Sequence, residues 1–227
     1  MSLDRYWSTE AGPRRWPGRA LHLIGPAVMR TAYRVQVRGR DYVPSSGPVI
    51  LASNHTSMLD GPLLFALTGR AVYALTKEEM FTGTLGPVLK WFGQIPVDRF
   101  AYDPAAVKSS LVVLERGDVL AVYPEGTRGA GVFETIKPGV AYLALCTGAP
   151  IIPVATLGAR HMAQSGARTA PLRSRIDIVF GQPIYTEPVG FPRRRRVVRS
   201  YAADLGEHLR AHLHEAVERT GRTPLVH

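Results

Sequence analysis

Pro48-Val49-Ile50-Leu51-Ala52-Ser53-Asn54-His55-Thr56-Ser57-Met58-Leu59-Asp60-Gly61-Pro62 is the segment from which the fold can be read. Its first part, 48–53, is a short unbroken apolar run and reads as a strand buried on both faces. Its last part opens a helix expected over 61–68. Pro62 has no N–H and is tolerated only in a helix's first turn. The helix therefore begins at about Asp60 or Gly61. Between strand and helix lies a polar turn carrying His55. In α/β proteins, ligands and reacting groups gather at the carboxyl ends of buried strands.

The alternation continues on both sides. Strands are expected over 35–39, 71–75, 95–97, 119–123, 151–156 and 176–180. Helices are expected over 85–92, over 104–116 with Asp103-Pro104 as N-cap and first helical position, and over 137–147 with Gly148 closing the last. A long polar helix is expected within 193–220, and the connection 160–174 is the most mobile candidate. Strands alternating with helices define an α/β class: a single domain with a mostly parallel central sheet flanked by helices. No internal repeat or low-complexity linker interrupts it.

Residues 1–34 read as an N-terminal amphipathic helical segment ahead of a domain over 35–227. Trp7, Trp16, Leu21, Leu23, Ile24, Val28 and Met29 are mixed there with Arg5, Arg14, Arg15, Arg19, Arg30 and Arg34. A helix from about Arg19 would align Ala20, Leu21, Ile24, Ala27 and Val28, and Gly25-Pro26 should bend or break it. Two readings fit: an interfacial membrane anchor whose arginines reach headgroups, or a helix packed on its own domain. The apolar run 20–29 is far short of the ~20 residues that span a bilayer. No cleavable signal peptide and no transmembrane helix are expected; if the chain meets a membrane it lies on it, and the expected place is peripheral, on the cytoplasmic face.

The chain has 227 residues, 45% of them hydrophobic and 20% charged, which excludes a disordered or fibrous protein. Its net charge of +10 favours an anionic partner: nucleic acid, an anionic membrane surface or a phosphorylated substrate. Nearly all of the positive charge is Arg, the lysines being Lys77, Lys90, Lys108 and Lys137. Cys146 is the only cysteine, so an intramolecular disulfide is excluded. It sits in the apolar run 140–146 and reads as core, which weakly favours a reducing compartment.

Four segments carry candidate chemistry. In Asn54-His55-Thr56-Ser57-Met58-Leu59-Asp60, the histidine and the carboxylate both precede the helix, where the chain can fold one toward the other. A carboxylate on one ring nitrogen fixes the tautomer and leaves the other nitrogen as a base. The alternative is a helix-capping Asp60 beside an ordinary loop histidine. In Gly93-Gln94-Ile95-Pro96-Val97-Asp98-Arg99, a short strand delivers Arg99 as a phosphate fork, with Asp98 orienting or neutralising it. A plain surface ion pair is the other reading.

Val122-Tyr123-Pro124-Glu125-Gly126-Thr127-Arg128-Gly129 follows an apolar strand. Its glycines permit tight turns, Arg128 offers a fork for an oxyanion and Thr127 a hydroxyl. Glu125 can orient Arg128 or accept a substrate hydroxyl. A loop with two glycines and both signs of charge points to a site rather than to packing. Gly148-Ala149-Pro150-Ile151-Ile152-Pro153-Val154-Ala155-Thr156 reads as a core strand whose end can line an acyl or carrier pocket. Lys137 stands at a helix start, against the dipole, where an anionic ligand would relieve the conflict. Lys77 makes a weaker case of the same kind.

Together and in this order, the four segments resemble the glycerophosphate/lysophosphatidate acyltransferase family of phospholipid synthesis. Asn54, His55 and Asp60, with Ser57, match its Asn-His-x-x-x-x-Asp motif. Gly93 to Arg99 match its Gly-x-Ile-x-Val-Asp-Arg block. Tyr123 to Gly129 match its Phe-Pro-Glu-Gly-Thr-Arg-Ser block, with Tyr for Phe and Gly for Ser. Ile152, Pro153 and Val154 match its last block, and Lys137 and Gly139 its Lys-x-Gly.

The resemblance implies that His55 is the base and Asp60 orients it. The resulting alkoxide attacks the thioester of acyl-CoA or acyl-carrier protein without a covalent enzyme intermediate. Arg99, Glu125, Arg128 and Lys137, with Asn54, Ser57, Gly126 and Thr127, would bind the substrates. Backbone amides near Gly126 and Thr127 would serve the tetrahedral oxyanion. The acceptor implied is a lysophospholipid, with no cofactor beyond the acyl thioester and no metal. Removing His55 or Asp60 should cost several orders of magnitude in rate with little loss of fold. His208, His212 and His214 read as a solvated helix face rather than a metal site.

Two other classes compete. A nucleic-acid binder is suggested by Arg193-Arg194-Arg195-Arg196 with Arg199, but aromatic residues are not interleaved there, and no nucleic acid is expected as partner. A thioesterase or esterase would want a nucleophile beside His55; Ser57 is near, but no Gly-x-Ser-x-Gly elbow is present. Another lysolipid or a glycolipid remains open as acceptor.

Overall fold

A computed structural model describes residues 12–13, 19–160, 169–190 and 194–222. Among these residues there are seven strands: β1 (Arg34–Arg38), β2 (Val49–Ser53), β3 (Val72–Lys77), β4 (Ile95–Val97), β5 (Val119–Val122), β6 (Ile151–Leu157) and β7 (Arg175–Phe180). The helices are α1 (Arg19–Ala32), α2 (Asp60–Leu67), α3 (Gly86–Trp91), α4 (Pro104–Glu115), α5 (Gly139–Thr147) and α6 (Arg195–Thr220).

The strands form one sheet in the order β1-β7-β6-β2-β5-β3-β4. Neighbours are parallel except β6 and β7, so β1 and β7 run against the other five. The apolar runs of β2, β5 and β6 are explained by this arrangement, since they are buried throughout their length. One face packs Val49, Leu51, Val119, Ala121, Ile152 and Val154 against Leu63 and Leu64 of α2. The other packs Ile50, Leu120 and Val122 against Val113 of α4, Leu143 of α5 and Leu209 of α6.

The register places the chemistry. Ala52 of β2 pairs with Val122 of β5, so the turn after β2 and the loop after β5 leave the sheet side by side. β3 lies next to β5 and β4 next to β3, which brings Arg99 to the same edge of the molecule.

Expected and observed elements differ in instructive ways. Gly25-Pro26 neither breaks nor ends α1, which carries Pro26 in its interior. An interior proline costs about 3 kcal/mol in an isolated helix, but α1 is docked. A Cβ on Gly25 would stand 3.2 Å from Cβ of Ala66 in α2, so the glycine lets the two helices meet closely. Met29 and Ala32 pack on the core, while Ile24 and Val28 stay exposed. The described part of this segment is thus packed on the domain along one side and apolar on the other. Trp7, Trp16 and the arginines before Arg19 lie outside the described residues, as do 161–168 of the long connection and Arg193.

α5 begins at Gly139, not Lys137. Cys146 is half-buried rather than core. His212 does not belong to a solvated face: it is half-buried, with Nε2 3.0 Å from the Val179 carbonyl oxygen of β7. His208 and His214 are exposed. Among the described residues, no helix is long and apolar enough to cross a membrane.

Candidate active site

The turn after β2 is built around one carboxylate oxygen. Oδ2 of Asp60 accepts the N–H groups of Thr56 and Ser57, each at 2.8 Å, and lies 2.9 Å from Nδ1 of His55. Asp60 is fully buried as the first residue of α2. It does not cap its own helix; its carboxylate folds back over the preceding turn. Of the two readings the spacing left open, the geometry is that of a braced imidazole. The His55 side chain keeps 16% of its surface exposed, and with Nδ1 engaged, Nε2 is the nitrogen able to take a proton.

The loop after β5 closes on this turn. Oε1 of Glu125 accepts the His55 N–H at 3.3 Å, and Gly129 N–H donates to the His55 carbonyl at 3.0 Å. His55 is therefore held through Nδ1, N–H and C=O. Burial pushes the Glu125 carboxyl above its ordinary value. Hydrogen bonds from His55 and Phe133 N–H pull it back, while Asp60 and Glu134 add repulsion. Glu125 thus spends its carboxylate on backbone amides rather than on Arg128.

Tyr123 stacks on His55, ring centroids 4.0 Å apart and planes 23° apart. Its hydroxyl is buried and, like Oδ1 of Asp60, has no hydrogen-bond partner. Burial raises the phenol well above its ordinary value; the charge of Asp60 adds to this and Arg128 opposes it. The phenol therefore stays protonated beside the imidazole.

The cationic side is also assembled. Arg99 donates through Nη1 to the Gly126 carbonyl at 3.3 Å, and Nζ of Lys137 donates to the Arg99 carbonyl at 3.2 Å. Gly126 has φ +72°, and a Cβ there would stand 2.6 Å from Cε of Lys137, so only glycine leaves room for the lysine stem. Lys137 N–H is bonded to the Pro124 carbonyl at 2.8 Å. Lys137 therefore belongs to the loop after β5 and not to the start of α5. Thr127 and Arg128 project outward and are exposed. Lys77 ends β3, half-buried, opposite Val97 of β4.

Other expected roles are redistributed. Asp98 accepts the N–H groups of Phe100 and Ala101, at 2.8 and 3.3 Å, instead of pairing with Arg99. Gly126 N–H is committed to the Tyr123 carbonyl at 2.9 Å, which removes it as an oxyanion donor. Asn54 is buried, and its amide joins β2 to β6: Oδ1 accepts Thr156 N–H at 2.8 Å, and Nδ2 donates to Thr156 and Gly131 carbonyls at 3.1 and 3.4 Å. Ser57 is fully buried, its Oγ accepting Leu59 N–H at 3.1 Å.

Three contributors are not legible from motif reading. The stacking of Tyr123 joins two segments far apart in sequence. Phe133, fully buried at φ +57°, supplies its N–H to Glu125 and its carbonyl to Nη1 of Arg210 on α6. Gly131 leaves no room for a Cβ, which would stand 2.3 Å from Cγ2 of Thr56. A φ > 0 is uncommon for a phenylalanine, but nothing in a lone sequence announces it.

A histidine–aspartate pair thus follows one parallel strand, and Arg99 and Arg128 stand in the segments that follow two others. The chain belongs to the acyltransferase family, whose model matches residues 34–157. It is 27% identical over 160 residues to the chloroplastic 1-acyl-sn-glycerol-3-phosphate acyltransferase BAT2 of Brassica napus, covering 67% of this chain and 46% of that protein. It is 24% identical to the 1-acyl-sn-glycerol-3-phosphate acyltransferase of Bacillus subtilis, covering 66% and 74%. With the alpha form of Homo sapiens it shares 34% identity over 126 residues, covering 53% and 44%. The chain thus spans about half the length of several curated relatives it matches. Its fold is that of the 1-acyl-sn-glycerophosphate acyltransferase PlsC of Thermotoga maritima, with TM-score 0.59 and 22% identity over 85% of this chain and 79% of that one.

Proposed function

We propose that this chain transfers a fatty acyl group from acyl-CoA or acyl-carrier protein to the free hydroxyl of 1-acylglycerol-3-phosphate, giving phosphatidic acid. The observation that carries the reading is the 2.9 Å contact between His55 Nδ1 and Asp60. Nε2 of His55 removes the acceptor's hydroxyl proton as its oxygen attacks the thioester carbonyl. Asp60 holds the ring and stabilises the imidazolium that forms. The tetrahedral oxyanion collapses, the C–S bond breaks, and the His55 proton goes to the departing thiolate. Ester and thiol result, and no cofactor is called for.

Exposed Arg128, with Arg99 and Lys137 behind it, forms the cation cluster for the acceptor's phosphate. Thr127 offers an oxyanion donor in place of Gly126. Asn54, Ser57 and Glu125 serve substrate binding indirectly, by holding the turn and loop that carry His55 and Arg128. The relatives' names support this acceptor. The surface charge and the outward apolar side of α1 support a peripheral position on the cytoplasmic face of an anionic membrane.

The test supplies purified protein with an acyl thioester and a panel of lysolipids, with His55→Ala as control. Thiol release that depends on 1-acylglycerol-3-phosphate and is lost in the variant is expected. Equal release by both proteins with every acceptor would overturn the assignment. A stable acyl-enzyme mass would instead favour a hydrolase.

A further inference from the structure

Among the described residues, five of the twelve exposed large hydrophobic side chains fall within 85–102. Leu85 at the N-cap of α3, and Val88 and Trp91 within it, recur at every third position, which places them along one side of that helix. Phe100 and Tyr102 stand on the turn after β4, 87% and 81% exposed. α3 leads into β4 and this turn leaves it, so both groups flank the edge strand of the sheet. Aromatic side chains so fully exposed are uncommon on a monomer unless the surface has a partner.

The charges of the segment select that partner. Between 82 and 102 the charged side chains are Lys90, Asp98 and Arg99. Asp98 is turned onto two backbone amides, and Lys90 is exposed. The surface therefore presents apolar and aromatic groups with exposed Lys90 among them, while exposed Glu79, on the turn packed against α3, stands at its margin. That combination suits the boundary between headgroups and acyl chains, where aromatic rings settle and cations meet anionic lipid. It is also continuous with the site: the Arg99 guanidinium lies 5.7 Å from the Phe100 ring on one side and donates to Gly126 on the other.

We propose that α3 and the turn after β4 dock on the surface of a bilayer, with Leu85, Val88, Trp91, Phe100 and Tyr102 entering the interface and Lys90 meeting anionic headgroups. α3 and α1 meet α2 through different residues: Phe65 of α2 contacts Phe92 at the end of α3, while Ala66 faces Gly25 of α1. Docking here sets the cation cluster at headgroup level, so an acceptor phosphate reaches Arg99 and Arg128 without its chain leaving the lipid. Only that last step rests on the acyltransferase reading.

The full chain contains three tryptophans, so Trp7→Phe with Trp16→Phe leaves Trp91 as the single reporter. It is mixed with vesicles of phosphatidylcholine, alone or with phosphatidylglycerol, carrying brominated acyl chains. Trp91 fluorescence should be quenched, more strongly with the anionic lipid. Phe100→Ser with Tyr102→Ser should weaken vesicle partition about tenfold, the loss of roughly one buried aromatic side chain. Partition equal to the parent, or vesicle binding without quenching of Trp91, would overturn the proposal. So would a dimer in sedimentation equilibrium that this double variant dissociates while vesicle binding is unchanged, because the patch would then join two copies of the chain. Transfer to a short-chain acceptor free in solution is measured alongside. Its survival in the double variant is expected; its absence even in the parent, with quenching intact, would count against acyl transfer and leave docking standing.

Discussion

The phenol ring of Tyr123 lies nearly parallel to the imidazole of His55, 4.0 Å from centroid to centroid. The ring fixes the imidazole from the face, while Asp60 fixes it from the edge. Tyr123→Leu should therefore lower kcat about tenfold, the value of an aromatic pair beyond its burial, with KM for the acceptor little changed. Tyr123→Phe keeps the stack and should retain most of the rate. Equal loss in both variants would shift the role to the hydroxyl.

His55→Ala should lower kcat about 10²–10⁴-fold, the usual contribution of a general base, with little change in Tm. The Asp60 variant will differ from the simple sequence expectation. Asp60→Ala leaves Thr56 and Ser57 N–H groups unpaired in a buried turn, a cost of about 1–3 kcal/mol. It should lose both rate and thermal stability, and parallel melting curves of the two variants separate the effects.

Asn54→Ala removes the amide that joins β2 to β6 and to Gly131. Buried Thr156 N–H then loses its acceptor, so unfolding in urea should show a loss of about 2–3 kcal/mol. Residual activity at low temperature, with KM near the parent value, would mark the residue as structural.

Arg128 is exposed and held by little around it, so Arg128→Gln should leave Tm unchanged. KM for a phosphate-bearing acceptor should rise about 10–100-fold, the value of a charge-assisted contact. An acceptor without phosphate should show no such change; a parallel rise for both would place Arg128 elsewhere in the mechanism.

Burial holds His212 below its ordinary value of 6.5, outweighing the Val179 hydrogen bond. The folded chain keeps this ring neutral while the unfolded chain protonates it. Stability contributed by the neutral ring is complete above pH 6.5 and falls as pH drops below it. Tm measured across this range should fall less steeply in His212→Gln than in the parent.

The site was legible where chemistry and chain punctuation coincide. Pro62 forces the helix start and so sets His55 and Asp60 at one strand-to-helix turn, and the structure begins α2 at Asp60. The stretch from Tyr123 to Arg128 reads as a site because two glycines and both signs of charge follow an apolar strand. The roles within it were less legible. Glu125 and Asp98 are acidic neighbours of arginines in sequence, yet both carboxylates face backbone amides. Adjacent side chains need not meet, and an amide offers a nearer donor than a flexible guanidinium.

Local rules determined the alternation of strands and helices, the helix starts at Asp60 and Pro104, and the cap at Gly148. Each depends on the steric and hydrogen-bonding limits of one or two residues. The tertiary structure alone decided the strand order, the reversed β1 and β7, the continuous α1, the burial of His212 and the stacking of Tyr123 on His55. These are contacts between residues far apart in the chain. They are chosen by the packing of whole faces, which no short window of sequence contains.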